Sequence, residues 1–342
     1  AGGTIRADNG GAVFLNGVTI DGGTLATTTG GVLMGASNGN NFLNNTALTA
    51  NSVLDLATKP GAIERITGGL ALNGTINIGN GSILAPQGNQ TIGGNGTIVF
   101  ADNNGNNRLN VEAGNLTLGA GITVRGNTGV IGSQNFAGGN ATLTNNGTIQ
   151  ADVNGGTITL AALAGGASIV NNGTLAAKNG GTLMLNSSIT NNVGSQILAD
   201  AGSTVWQNGV TLNGVINING TGSFRASASS NNFLDNATFT GTLDLASAVG
   251  YERVTNGLVL NGGVNIANGS ILAPQGNQTI SGSGTIVFAD NNTNNRLNVE
   301  AGNLTLGAGI TVRGNTGVIG LQNFAGGNAT LTNNGTIQAD VN

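Results

Sequence analysis

The chain has 342 residues, a formal charge of −4, no Cys and no His, and only 7% of its residues are charged, against roughly 25% in an average globular protein. These values exclude a disulfide scaffold, remove the usual transition-metal ligands and leave no basic stripe to displace counterions from a nucleic acid. Hydrophobic residues make up 38% in short alternating runs, which argues against disorder, and no apolar run nears the roughly 18–20 residues of a bilayer span.

In chain order, GGTIRADNGGAVFLNGVTI opens the sequence, followed by NNFLNNTALTANSVLDLA and the pair Glu64-Arg65. From Leu70 to Asn154 comes a long run containing NGSILAPQGNQTI, GTIVFADNN and NNRLNVEAGNLTLGAGITVRGNTGVIG. That run returns almost verbatim from Leu258 to Asn342, at an offset of 188. The opening segment also returns, with more drift, as GSQILADAGSTVWQNGVTL from Gly194, at an offset of 192, and Glu252-Arg253 follows it. Residues 1–154 are therefore read as a first, N-terminally incomplete copy of a long unit, and 155–342 as a second copy continuous with it. Beginning and ending in mid-unit is what a piece of a longer array would show. Self-similarity of this kind marks repeat architectures.

A shorter period lies inside the long one. NGT followed by Ile or Leu occurs at Asn73, Asn95, Asn146, Asn172 and Asn334, with a typical spacing of about 22–26 residues, the length of one solenoid coil. Between these points apolar and polar residues alternate, as in Thr75-Ile76-Asn77-Ile78. A period of two sends Ile and Leu inward and Thr and Asn outward. Gly and Asn punctuate the runs because they accept positive φ and make side-chain turn bonds. The expected fold is all-β: a right-handed parallel β-helix, or β-solenoid, of about 14–16 coils. At the strand spacing of a sheet it is a rod on the order of 70 Å long. A β-sandwich ranks second, since it needs longer strands and hairpins. Buried Asn stacked along the axis would keep its amides hydrogen-bonded.

The strings NNGTIQADVNGGTITL, GGTIRADNGGAVFLNG, YERVTNGLVLNG and NRLNVEAGNLTLGAGITVRG resemble long bacterial surface proteins built from β-helix repeats. These are the filamentous-haemagglutinin-like and autotransporter-passenger-like β-helices and the β-strand repeat proteins associated with PEP-CTERM-type sorting tails. The resemblance runs over essentially the whole chain. It implies an extracellular or cell-surface location and a role as stalk, adhesin, filament or biofilm-matrix fibre, not an enzyme. Self-association into fibres is the expected partnership, with head-to-tail stacking of coil ends as its route. A surface polysaccharide is a second candidate partner; no nucleic acid and no membrane insertion within this segment are expected.

Candidate chemistry is sparse. The paired acids are Asp55 with Glu64, repeated as Asp244 with Glu252, and Asp102 with Glu112, repeated as Asp290 with Glu300. Polysaccharide-cleaving β-helices use clustered carboxylates, but Glu64-Arg65 and Arg108 with Glu112 read more simply as local charge pairs. Asp102 and Arg125 stand one expected coil length apart, as do Asp290 and Arg313, so each pair is expected to meet on adjacent coils as a salt bridge. No catalytic residue, cofactor or metal ligand is assigned. Calcium is left at most an isolated site, because the GGxGxDxUx nonapeptide is absent. Phe14 aligns with Trp206, and both are expected in the core or as coil covers rather than as sugar-stacking platforms.

Overall fold

Strict alternation builds the interior. The computed structural model describes residues 2–133, 139–219, 221–320 and 328–341. It is all-β, 1% helical, with parallel coils stacked as a β-solenoid of about 15 turns. The chain forms two compact units, Ala1–Leu183 and Met184–Asn342. In the first, Leu54, Ile76, Ile98, Val124, Ile149 and Leu175 stack rung on rung in parallel register. All six are fully buried. In the second, Val205, Phe224, Leu243, Val264, Ile286 and Val312 form the corresponding inner column. There the Phe224 ring meets Phe239 edge to face at 5.4 Å between centroids, a favoured aromatic geometry.

Outward neighbours follow the opposite parity. Thr75, Thr97, Thr123, Thr148 and Thr174 occupy five successive rungs on the outside of the first unit. Coil length varies more than the NGT spacing implies. The register steps from Ile98 to Val124 over a long coil, but from Val205 to Phe224 over a much shorter one. The longer coils carry extra residues, such as those between Phe100 and Arg108 within the strand Thr97–Asn110, where the register with the next coil shifts.

Phe14 and Trp206 lie outside the core, which leaves the second of the two expected placements, a cover on the coil. Val13 and Leu15 alternate inward in their strand, so Phe14 points out and is 54% exposed. Trp206 lies outward between buried Val205 and Gln207 and is half-buried. Parity overrides aromatic hydrophobicity at these positions.

Buried asparagines clamp successive coils. Asn41 Oδ1 accepts from the Gly17 amide at 2.6 Å on the coil before, while its Nδ2 donates to the Ile63 carbonyl at 3.0 Å on the coil after. Asn107, Asn232 and Asn295 repeat the arrangement on Gly81 and Thr128, Gly209 and Tyr251, and Gly269 and Thr316. Asn145 instead donates directly to Asn171 at 2.8 Å. Each amide satisfies buried groups that would otherwise be left unpaired. Glycine is required where a ring needs the space. A Cβ on Gly129 would lie 2.3 Å from the Phe100 ring, and one on Gly317 the same distance from Phe288.

Candidate functional site

The acidic residues separate according to which way their strand position faces. Asp102 and Arg125 do not pair, and neither do Asp290 and Arg313. The register places Arg125 beside Val99, three positions before Asp102, because this coil takes 26 residues and not the 23 that separate the pair. Arg125 Nη2 instead meets Asp152 Oδ2 at 2.7 Å, and Arg313 Nε meets Asp340 Oδ2 at 2.8 Å. Asp102 accepts from the Asn80 amide at 2.7 Å and from Asn107 Nδ2 at 2.6 Å. Asp290 does the same with Asn268 and Asn295. The Asn295 bond, followed by the Asn268 amide, holds the Asp290 carboxyl below its ordinary range. Both aspartates therefore pin a neighbouring Asn-Gly corner.

Asp55 and Glu64 point to opposite sides of the coil wall, although the turn that Asp55 caps leaves it only 9% exposed. Asp55 caps a turn, accepting from the Ala57 and Thr58 amides at 2.7 and 3.2 Å and from the Thr58 hydroxyl at 2.5 Å. Asp244 caps Ser247 in the same way and lies 3.7 Å from Arg225 Nε. Glu64 and Glu252 point into the core, at 1% and 0% exposure, and no carboxyl oxygen of either residue has a partner in hydrogen-bond geometry. Burial pushes Glu64 up to about 8. It raises Glu252 well above the usual range, a shift that the nearby Gln207 side chain offsets in part. Desolvation disfavours the charged form, so both are neutral acids at pH 7. The Glu64-Arg65 surface pair expected from sequence is absent, since consecutive strand residues face opposite ways.

Arg65 reaches Glu112 instead, at 3.3 Å and 47 residues on, and Arg253 reaches Glu300 at 2.8 Å over the same separation. Glu112 also accepts from Asn110 at 3.1 Å, and Glu300 from Asn298 and from the Tyr251 hydroxyl. Burial, then the Glu300 bond, pushes the Tyr251 phenol up to about 12. Each arginine also lies over a phenylalanine ring: Arg65 over Phe42 at 5.7 Å and Arg253 over Phe233 at 5.6 Å. Arg108 is not the partner of Glu112, contrary to the local reading. Sequence reasoning missed these contacts because it compared neighbours in sequence. The repetition of Arg65 and Glu112 as Arg253 and Glu300, at one fixed separation, was the signal available.

A groove of about 650 Å³ opens on the first unit, lined by Thr27–Val32, Asn51, Val53, Asp55, Thr58 and Asn77 among others. The second copy is two residues shorter beside this groove, where Thr240 to Leu243 corresponds to Thr49 to Leu54. Among the described residues no group of three or more Asp or Glu gathers as a metal site, and no helix is long and apolar enough to cross a membrane. The charged carboxylates cap turns and tie coils, and the two glutamates held neutral are sealed in the core. No protein-family model matches the chain, and no curated protein matches it either.

Proposed function

We propose that this chain is a structural segment of an extracellular, cell-surface fibre or adhesin stalk. The observation that carries the reading is the direction of its polar chemistry. In both copies, Asn clamps and Arg–Glu contacts run from coil to coil. Such contacts resist separation along the stack and leave outward columns of Thr and Asn with little charge. Weak surface charge lowers the repulsion that would keep parallel copies apart. A coil edge offers unpaired backbone groups in register for another coil, and a head-to-tail contact of that kind grows filaments rather than closed rings. The resemblance to bacterial surface β-helix repeats supports the location.

Immunogold electron microscopy, with antibodies raised against the purified chain, tests the proposal on the cells that make it. Label along surface fibres or in the surrounding matrix is expected. Label confined to the cell interior would refute it.

A further inference from the structure

One outward strand column carries the same chemistry in both units. In the first, Phe14, Met34, Asp55 and Asn77 lie in register on four successive coils. In the second, the sequence of rungs is Trp206, Arg225, Asp244 and Asn265. Each column thus sets an aromatic ring at one end, a carboxylate two rungs on and an amide on the third. Rungs are about 4.8 Å apart, so ring and carboxylate stand roughly 9–10 Å apart along the column. In the first unit, Asp55 and Asn77 also line the groove, together with Thr27, Val32 and Val53.

The residue types define what such a strip can hold. An exposed aromatic face packs against the C–H face of a sugar ring. A carboxylate and an amide accept from and donate to hydroxyl groups. Asp55, only 9% exposed, and Asp244, with 20% of its side chain exposed, are held in fixed orientation by their turn-capping bonds, and each carboxylate keeps an acceptor position beyond those the cap uses. An advance of one rung matches the advance of one ring in an extended β-linked polysaccharide. Charge selects among such polymers. Lys59 Nζ lies over one face of the Phe14 ring, 5.5 Å from its centroid, leaving the other face for a sugar, and Arg225 Nε lies 3.7 Å from Asp244, so each strip carries one cation and one carboxylate. Both strips are electrically neutral, so a polyanion gains nothing there.

We propose that these two strips bind an extended, neutral, hydroxyl-rich polysaccharide, with a sugar ring on Phe14 or Trp206 and hydroxyls on Asp55 or Asp244. The site is independent of whether the chain forms a fibre, and its test needs only the purified protein.

Trp206 is the single tryptophan, so its fluorescence reports on one strip directly. Cellohexaose, xylohexaose and mannohexaose are titrated against the chain, with polygalacturonate as the acidic counterpart. At least one neutral hexaose is expected to shift Trp206 emission to the blue, and the matching polymer to retard the chain in affinity electrophoresis. Phe14→Ala with Trp206→Ala should weaken retardation at least about tenfold at an unchanged unfolding midpoint. Phe14→Tyr with Trp206→Phe should preserve it, which separates loss of stacking from loss of fold. Binding of none of the neutral sugars, binding of polygalacturonate alone, or retardation that survives the double alanine variant would overturn the proposal.

Discussion

Arg253 and Glu300 are 47 residues apart in sequence and meet at 2.8 Å across two steps of the coil stack. The step between them is occupied by Gln275, which bridges to Glu300. Glu300 is fully buried, and Arg253 is the cation that compensates it. Removing one partner of a buried pair leaves an unpaired charge in the core. Arg253→Ala is therefore expected to cost about 3–5 kcal/mol, and Glu300→Gln less, because the amide is neutral. Guanidinium unfolding measures both. A loss below about 1 kcal/mol for Arg253→Ala would place the pair among solvent-screened surface bridges.

The asparagine clamps give a second expectation. Asn232 accepts from Gly209 at 2.6 Å and donates to the Ser227 and Tyr251 carbonyls at 2.8 and 3.0 Å. Asn232→Ala removes the side-chain partner of the Gly209 amide and of the Tyr251 carbonyl, while the Ser227 carbonyl keeps the Tyr251 amide, at about 1–3 kcal/mol for each group left buried and unpaired. Native-state hydrogen exchange should show the Gly209 amide losing protection along with its neighbours on the adjoining coils. Unchanged protection at Gly209 would mean that this amide does not depend on the clamp.

Gly129 makes room for Phe100, and Gly317 for Phe288. Gly129→Ala should destabilise by about 1–3 kcal/mol through overpacking. Phe100→Leu in the same chain should recover part of that loss, a coupling that a double-mutant cycle reads directly. Strictly additive effects would show that the ring and the glycine do not constrain each other.

The buried glutamates set the pH dependence. In the unfolded chain a glutamate ionises above about 4.3, whereas folded Glu64 holds its proton up to about 8. Between those values the native state binds more protons than the unfolded state, so stability falls as pH rises. The contribution is fully present below the unfolded value and is lost by the time Glu64 itself ionises. Glu252, also raised by burial, acts in the same sense. Asp290, held low by Asn295, acts in the opposite sense and loses its contribution only in acid. Stability is thus expected to be greatest at about pH 4–5, and Glu64→Gln with Glu252→Gln should flatten the fall. Urea midpoints measured from pH 4 to pH 9 test this; a maximum at pH 7 or above in the unmodified chain would contradict it.

Much of the fold is legible because a solenoid writes its geometry into short periods. Thr75-Ile76-Asn77-Ile78 alternates in sequence as it does in the strand, and the NGT punctuation marks the corners. The inter-coil partners are less legible, since the step from Ile98 to Val124 is far longer than the step from Val205 to Phe224. A fixed coil length misplaces Arg125 by three positions and assigns it Asp102 in place of Asp152. Parity is readable in the sequence but competes with composition at Phe14, Trp206, Glu64 and Glu252. Residue type suggests aromatics inside and acids outside, whereas strand position sends these aromatics out and the glutamates in.

The proposed role, a stacked-coil segment of a surface fibre, can be read from cryo-electron microscopy of fibres taken from the cells that make this chain. Strands are expected to lie across the fibre, with a repeat of about 4.8 Å along its axis and density joining Arg253 to Glu300 from coil to coil. Fibres whose strands run along the axis, or fibres that lack this chain altogether, would contradict it.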